Sequence, residues 1–454
     1  MDKAEALLKL QPINQEHLLK FYDTLTENEK SLLLNQIDEL DVEIFKKQQA
    51  LLFVKDSQID ENYEPLEDVV HADDLDDKIG QKLLSEGKFG CLIVAGGQGT
   101  RLQYDKAKGT FPVSSVKKKS LFQIFAEKTL AAGKMSRQML PLAIMTSNEN
   151  ESEIKDFLKN NHYFGLNPLQ LSFFSQKSLS LLDLQGNLFL ENPYTISKGP
   201  DGNGTSLELF VSSGIYEEWL KKGVEFVNYV LIDNPLADPF DAKLLDYQSR
   251  KKAEIVIKCV KRDQAIENVG VLVKRSGFLS VIEYSEMTDF KRFVKDESGR
   301  LKFMYANISL FSFSMNFISK IANRDDPLPY HKALKKVAYF DFDSKTTKKP
   351  DFPNGWKFEK FIFDVLPFAE KVEVIEYWRK NCFSPLKNLV GDHTLESVQR
   401  QMELLDYETI CQITGRRDPI LKPFEIAQEF YYPTDELLEK WKGKEIPQTH
   451  YIKE

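Results

Sequence analysis

Apolar residues recur at helical spacing through EALLKL, EHLLKFYDTL and KSLLLNQIDELDVEIFKKQQALL, with polar or Pro breaks between them. Residues 1–85 are therefore expected to be a helical region packed against something larger. From Phe89 the pattern changes to short apolar runs alternating with amphipathic stretches. CLIVA reads as a buried strand. SLFQIFAEKTLAAG reads as a helix, with Ser120 and Gln123 at capping-box spacing and Gly133 as its stop. LPLAIMTS is a second strand, followed by a helix expected to start at Asn148 and end near Gly165. QLSFFSQ, VNYVLID and EIVIKCV continue the series. Repetition of this kind predicts an α/β fold with a mostly parallel sheet covered on both faces. In such sheets ligands sit beyond the carboxyl ends of the strands. VGVLVKR, FLSVIEYSE and FMYANISLFSF are richer in β pattern and are expected to form an insert completing a second wall of the cleft. The expected organisation is thus 1–85, 86–388 and a smaller piece at 389–454.

Composition narrows the function classes. A chain of 454 residues exceeds one compact core, so two or three domains are expected. A net charge of −8 argues against general nucleic-acid binding, which needs a broad basic face. The start, MDKAEALLKL, has no apolar core suited to a signal peptide, and no run approaches the roughly 18 apolar residues of a membrane helix. The chain is expected to be cytoplasmic and free of the membrane. Cys91, Cys259, Cys382 and Cys411 are far apart, without a C-x-x-C pair, which fits buried thiols in a reducing compartment.

Four stretches could carry chemistry. CLIVAGGQGTRL brings Gly96, Gly97 and Gly99 together immediately after a strand. Glycines there permit positive φ and clear side chains from the inner surface, so that a flat base or a phosphate can touch the main chain. The pattern is neither G-x-x-x-x-G-K-[ST] nor G-x-G-x-x-G, and a simple tight turn would look the same. Arg101, Lys106 and Lys108 add three cations within a few residues, which suits a polyphosphate; a solvated basic loop is the competing reading. GPDGNGT (Gly199 to Thr205) precedes an apolar-periodic helix and could offer backbone N–H groups, although Gly, Asp and Asn also make ordinary turns. Asp233 ends the strand VNYVLID, where a carboxylate could hold Mg²⁺ between phosphates, while Asp238 is expected to cap the next turn. Lys357 and Lys387 stand in or beside apolar segments and either snorkel to solvent or point into an anion site. In the KKK run at 117–119, only Lys119 is expected to leave the solvated surface.

The set VAGGQGTRL, KG at 108–109, KSLFQIFAEK, GPDGNG, LIDN, VIEYSEM, PNGWKFEKFIFD and FSPLKN resembles, in order and approximate spacing, the eukaryotic-type UDP-N-acetylglucosamine pyrophosphorylases. These belong to the wider UDP-sugar pyrophosphorylase group, which includes UTP–glucose-1-phosphate uridylyltransferases. The likeness covers roughly residues 85 to 390. It implies a Rossmann-like nucleotidyltransferase domain, GT-A-like, flanked by smaller terminal pieces. It also implies formation of a UDP-sugar and pyrophosphate from UTP and a sugar 1-phosphate, with Mg²⁺; the chain is expected to be a monomer. By motif, Val94, Ala95, Gly96 and Gly97 would line the uridine, and Gln176 and Gly202 would help hold the base. Lys108 and Lys357 would contact the UTP phosphates with Arg101 beside them, Lys387 would bind the sugar phosphate, and Asp233 would ligate Mg²⁺. Asn203, Gly270, Glu283, Tyr284 and Asn307 would face the sugar. The sequence departs from the family pattern at Gln103, where Gly is usual, at Ala107 (Pro), at Thr205 (Gly), and in FMYAN, which keeps only Asn307 of F-N-A-G-N.

That chemistry fits the residues. The nucleophile, a phosphate oxygen, is already anionic, so positioning and charge neutralisation suffice without a protein base or covalent intermediate. N-acetylglucosamine 1-phosphate is the leading acceptor, with glucose 1-phosphate or a broad sugar range as the alternative. From other classes, a non-catalytic UDP-sugar-binding regulator or a glycosyltransferase remains open, although IDN replaces the D-x-D of the latter.

Overall fold

In the computed structural model, which describes residues 1–53 and 62–454, the chain gathers into two compact units. One takes the described residues of Met1–Asp60 with Gln176–Thr205 and Pro327–Ile362; the other takes Glu61–Ser175, Ser206–Asp326 and Phe363–Glu454. The units are interleaved along the chain, whereas the sequence reading divides it consecutively near 85 and 388.

The larger unit is organised by a sheet whose order is Val70–His71, Val372–Glu376, Ile255–Lys261, Tyr305–Ser314, Phe226–Leu231, Phe89–Val94, Leu142–Ser147 and Leu171–Gln176. Phe89–Val94 pairs in parallel with both Phe226–Leu231 and Leu142–Ser147, and Ile255–Lys261 pairs in parallel with Val372–Glu376. The expected largely parallel sheet is present. Its strands are apolar on both faces: every side chain of Leu142–Ser147 is buried, as are Phe89, Cys91, Leu92 and Ile93. Helix Leu121–Ser136 packs Leu121, Phe122, Ile124, Phe125 and Ala126 into the same core. Full burial of a ring such as Phe125 contributes about 1.5–3 kcal/mol. Ser120 caps that helix by accepting the Gln123 N–H at 3.1 Å, but the expected capping box is only half made, because the Gln123 side chain donates to Glu127 at 2.8 Å.

Several expectations are corrected. The helix passes Gly133 and ends at Arg137, which takes the left-handed conformation and donates its N–H to the Gly133 carbonyl. Gly133 is needed for space, because a Cβ there would lie 2.8 Å from the Gln138 carbonyl oxygen. The following helix is Glu151–Asn160, one residue after Asn150 rather than from Asn148. Asn150 is occupied elsewhere, donating to the Ala95 carbonyl at 3.1 Å and accepting the Ser147 N–H at 2.8 Å.

The β-rich stretch is not an insert throughout. Tyr305–Ser314 runs through the middle of the sheet, antiparallel to Phe226–Leu231 and to Ile255–Lys261. Its Ser312 is fully buried and donates to the Gln248 side chain. Val271–Arg275 and Phe278–Ile282 form an antiparallel hairpin joined to the sheet at Val271 and Ala306.

The expectation of helix through residue 85 fails at Tyr63–Pro65, which pairs with Val271–Arg275, and at Val70–His71, which pairs with Val372–Glu376. Pro65 and the run of acidic residues after it break any apolar repeat there. The part of that expectation at 54–61 lies outside the described residues.

In the smaller unit, helices Lys3–Leu10 and Glu27–Asp38 open with capping boxes, Asp2 with Glu5 and Thr26 with Glu29. Ala6, Leu10, Leu33, Ile37 and Phe45 share a core with Leu182, Leu188, Ile196, Phe340 and Phe358. The C-terminal piece of the larger unit has a cluster of its own, including Ile410, Phe424, Phe430, Trp441 and Ile452. Among the described residues no helix is long and apolar enough to cross a membrane. All four cysteines are buried and free, as expected.

Candidate active site

Parallel strands put their carboxyl ends at one edge of the sheet, and the register brings Val94 level with Leu231. The Ile232 N–H donates to the Val94 carbonyl at 3.0 Å, so Asp233 emerges beside the start of the glycine loop. The loop then folds back on itself. Gly99 N–H donates to the Lys106 carbonyl at 3.0 Å and Lys108 N–H to the Gly97 carbonyl at 3.2 Å. Glu153 accepts the Ala107 N–H and anchors the returning limb. This fold-back delivers Lys108 to Asp233, with Nζ and Oδ2 3.6 Å apart and both side chains about 15% exposed (15% and 14%).

Gly97 and Gly99 of the loop do different things. A Cβ built on Gly97 meets no atom within 4 Å, so the surface there is open to a ligand. A Cβ on Gly99 would lie 2.7 Å from the Tyr104 carbonyl oxygen, so this glycine serves the loop's own packing. The expectation that the loop glycines use positive φ is corrected: none of Gly96, Gly97 and Gly99 does so, and at Gly99 φ is −81°. The left-handed position is Gln103, at φ 52°, where the resembling family usually has Gly.

Asp233 is suited to a cation. Its Oδ1 is buried without a hydrogen-bond partner among the described residues, while Oδ2 faces Lys108. Magnesium is commonly held by one or two carboxylates together with substrate phosphates and water, and this donor set fits that role. Among the described residues no group of three or more His, Cys, Asp or Glu could hold a metal without such help. Asp238, expected to cap a turn, accepts the Phe240 N–H at 2.9 Å, and Asp241 caps the next helix.

The FSPLKN segment is clasped to the same strand end. Leu386 N–H donates to the Asp233 carbonyl at 2.7 Å, and Asn234 bridges the Cys382 carbonyl and the Ser384 N–H. Lys387 follows directly, half-buried and without a carboxylate partner among the described residues. Burial and then the nearby Lys387 and Arg379 charges hold the His393 imidazole below its ordinary pKa. Arg101 is exposed beside the loop.

Of the residues assigned to the sugar, Gly270, Glu283, Tyr284 and Asn307 form a second group in the larger unit, whereas Asn203 belongs to the smaller one. Asn307 N–H donates to the Gly270 carbonyl at 2.8 Å, and a Cβ on Gly270 would stand 3.0 Å from Glu283 Oε1. A register shift between Lys258 and Cys259, with Ser309 at φ 54°, re-aims the strand just after Asn307. Tyr284 is exposed next to Glu283.

The smaller unit holds Gln176, Gly202, Asn203 and Lys357. Gln176 donates to the Gly202 carbonyl at 2.6 Å. Gly202 has φ 88°, and its Cβ would lie 2.2 Å from the Lys360 carbonyl oxygen. The GPDGNGT loop does not leave all its N–H groups free, because Gly204 N–H donates to Lys360 and Asn203 accepts the Ile362 N–H. Thr205, one of the departures from the family pattern, directs its hydroxyl to Asp201 at 3.0 Å. Lys357 is paired with Glu359 at 2.8 Å.

A family model described as UTP–glucose-1-phosphate uridylyltransferase matches residues 42–409. The chain belongs to that family. It is 35% identical to the Dictyostelium discoideum protein named "Probable UDP-N-acetylglucosamine pyrophosphorylase", over 83% of this chain and 82% of that one. It is 31% identical to UDP-N-acetylglucosamine diphosphorylase 2 of Arabidopsis thaliana, over 85% and 80% of the two chains. The fold matches the uridine diphosphate N-acetylglucosamine pyrophosphorylase of Trypanosoma brucei with a TM-score of 0.82, at 24% identity, covering 100% of this chain and 98% of that one. The chain is an enzyme of the nucleotidyltransferase type.

Membership of the family leaves a buried charge cluster behind the site that sequence reasoning missed. Lys128 donates to the carbonyls of Pro235 and Ala237, both at 2.8 Å, clamping the loop that leaves Asp233, and burial pushes its pKa down to about 8. Lys258 pairs with Asp241 at 2.6 Å, Tyr377 donates to Asp241 at 2.8 Å, and Tyr432 donates to Asp238. Burial opposes charge on both Lys258 and Asp241, but their attraction keeps the pair ionised. A cleft of about 1520 Å³ opens here, lined among others by Lys82, Arg137, Asp241, Tyr377 and Tyr432. It contains none of the residues assigned to substrate. In the smaller unit, burial pushes the Asp201 carboxyl up to about 6. Nothing in sequence spacing marks these groups, since charged residues ordinarily read as surface; Lys119 alone stood out, and it is buried between Glu127 and Glu425.

Proposed function

We propose that this enzyme forms UDP-N-acetylglucosamine and pyrophosphate from UTP and N-acetylglucosamine 1-phosphate, using Mg²⁺. The observation that carries the reading is the strand-end Asp233, with one unpartnered oxygen and Lys108 3.6 Å from the other, next to a glycine loop whose Gly97 face is open. A phosphate oxygen of the sugar phosphate attacks the α-phosphorus of UTP in line. The new P–O bond forms as the α–β anhydride bond breaks, and its electrons leave with pyrophosphate. Both partners are anions, so the protein's task is to hold them together and to neutralise charge.

Gly97 gives the nucleotide bare backbone, Lys108 and Arg101 face the triphosphate, and Lys387 meets the phosphate of the acceptor. Mg²⁺ at Asp233 would supply further charge neutralisation between the phosphates. Gly270, Glu283 and Asn307 present a carbonyl, a carboxylate and an amide to sugar hydroxyls and to an acetamido group. The family and the names of its relatives support the uridylyl transfer and the N-acetylamino sugar; the chain is taken to act as a cytoplasmic monomer, which light scattering and fractionation check. Incubation with UTP, Mg²⁺ and a panel of sugar 1-phosphates should release pyrophosphate fastest with N-acetylglucosamine 1-phosphate. Faster release with glucose 1-phosphate would move the assignment to that sugar, and no release with any sugar would end it.

A further inference from the structure

We infer that Arg379 is a positioning residue that sets the spacing between the acceptor's phosphate site and its sugar site. The inference rests on the uridylyltransferase reading above and deepens it. Arg379 opens the short helix Arg379–Cys382, which leads directly into the segment carrying Lys387. Its guanidinium reaches the end of strand Ile255–Lys261 and the loop that follows it at three points. Nη2 lies 2.6 Å from Glu267 Oε1 and donates to the Lys261 carbonyl at 3.2 Å, and Nε stands 3.1 Å from Asp263 Oδ2. Arg379 and Glu267 are 21% and 17% exposed, so this pair is shielded, whereas Asp263 is 73% exposed.

Each end of the Arg379–Glu267 pair is tied to one half of the acceptor site. On one side, Glu267 accepts the Asp263 N–H at 3.2 Å and its carbonyl accepts the Val269 N–H at 3.1 Å. The next residue is Gly270, whose carbonyl receives the Asn307 N–H and against which Val281 and Glu283 pack so closely that a Cβ there would lie 2.8 Å and 3.0 Å from them. On the other side, the Arg379 carbonyl accepts the Phe383 N–H at 2.9 Å, and the guanidinium lies 5.4 Å from the Phe383 ring centre. From Phe383 the chain is bonded to Asn234 and to the Asp233 carbonyl before it reaches Lys387.

In a sugar 1-phosphate the phosphate and the ring hydroxyls are at covalently fixed separations. A binding site gains from both only if its own two halves keep that separation, and a planar guanidinium held at several points is stiffer than a single ammonium contact. UTP contacts at Gly97 and Lys108 do not run through this pair. Arg379 touches neither substrate in this scheme; it acts through Glu267 and the Lys387 segment.

The test is steady-state kinetics and thermal melting of the full chain with Glu267→Gln, Arg379→Met, Arg379→Lys and the exposed-partner control Asp263→Asn. Glu267→Gln is expected to raise KM for N-acetylglucosamine 1-phosphate about tenfold or more, with KM for UTP within twofold of wild type and the melting temperature nearly unchanged. Arg379→Lys keeps the charge and should recover part of that loss relative to Arg379→Met. Asp263→Asn should differ little from wild type. Equal KM values for the sugar phosphate in wild type and Glu267→Gln would overturn the inference. So would a fall in all parameters together with the melting temperature, which marks a pair that merely holds the fold. Wild-type enzyme that turns over no sugar 1-phosphate refutes the underlying reading and takes the inference with it; turnover by wild type with no shift in the variants refutes the inference alone.

Discussion

One methyl group placed at Gly97 and, separately, at Gly99 distinguishes a surface kept bare for a ligand from one kept bare for the fold. A Cβ on Gly97 meets nothing within 4 Å, so Gly97→Ala should fold as the wild type does. The methyl would instead stand where the nucleotide is proposed to lie against backbone. Overpacking by one such group costs about 1–3 kcal/mol, or roughly 5-fold to 150-fold in UTP affinity. Gly99→Ala should behave in the opposite way. Its Cβ would sit 2.7 Å from the Tyr104 carbonyl and 2.8 Å from the Tyr104 ring.

Tyr104 cannot readily move, because its N–H donates to the Gly99 carbonyl and its hydroxyl bonds to Thr110 at 2.8 Å. The same range of about 1–3 kcal/mol then falls on stability and lowers the melting temperature by roughly 2–6 °C. Differential scanning fluorimetry and UTP-dependent pyrophosphate release, run on both variants, read out the two quantities. A Gly97→Ala enzyme with unchanged KM for UTP, or one that melts earlier than Gly99→Ala, would refute the division of labour.

Three further outcomes follow from the same site and from the core behind it. Asp233→Asn should lower turnover on the order of 10²-fold and raise the Mg²⁺ concentration needed for half-maximal rate; a Mg²⁺ titration identical to wild type would show that Asp233 is not the cation's carboxylate. Lys387→Met should raise KM for the sugar 1-phosphate about 10-fold to 100-fold, as expected for a lost charge-assisted bond, while Lys106→Met, an exposed lysine beside the loop, should stay near wild type; equal effects would remove Lys387 from the phosphate site. Asp406 is buried, and burial followed by the Glu425 charge pushes its carboxyl up to about 7, with the Tyr431 hydroxyl bond opposing. A raised folded pKa means that the folded state binds the proton more tightly, so this group's contribution to stability falls as pH rises from about 4 to about 7. Asp406→Asn lacks that titration; its melting temperature relative to wild type should climb across the window, and a flat difference from pH 4 to pH 8 would rule the titration out.

Much of the fold was legible because strand-forming runs such as CLIVA, LPLAIMTS and VNYVLID are apolar on both faces, and a strand buried on both faces belongs in a covered parallel sheet. The glycine loop and Asp233 could be placed at the carboxyl ends of strands for a related reason, since residues that end strands are positioned by local pattern; the spacing around Lys387 left snorkelling and an anion site both open. Tyr305–Ser314 was read as part of an insert because its partners in the sheet, Phe226–Leu231 and Ile255–Lys261, and the Gln248 that keeps Ser312 dry, are remote in sequence. The same remoteness hid Lys128, Lys258 and Arg379. A lysine in helix Leu121–Ser136 looks like surface until the chain brings the Pro235 and Ala237 carbonyls against it. The arginine in EYWRKNC carries no periodic signal, and its value depends on a loop more than a hundred residues earlier.

The central position of Tyr305–Ser314 has a consequence for how the protein is made. During synthesis Phe89–Val94, Leu142–Ser147 and Phe226–Leu231 can associate as soon as they leave the ribosome, but the far edge of Phe226–Leu231 stays uncovered until the chain has advanced from Leu231 to Tyr305. Ile255–Lys261 emerges in the meantime and has no direct place beside that edge, because its neighbours are the strand still to come and Val372–Glu376. The nascent chain therefore carries an apolar edge strand and an orphaned partner through the same interval, the combination most prone to pairing with a neighbouring chain. Asp233, at the end of the waiting strand, is completed as a site only after the last of these strands and the Lys387 segment have been translated.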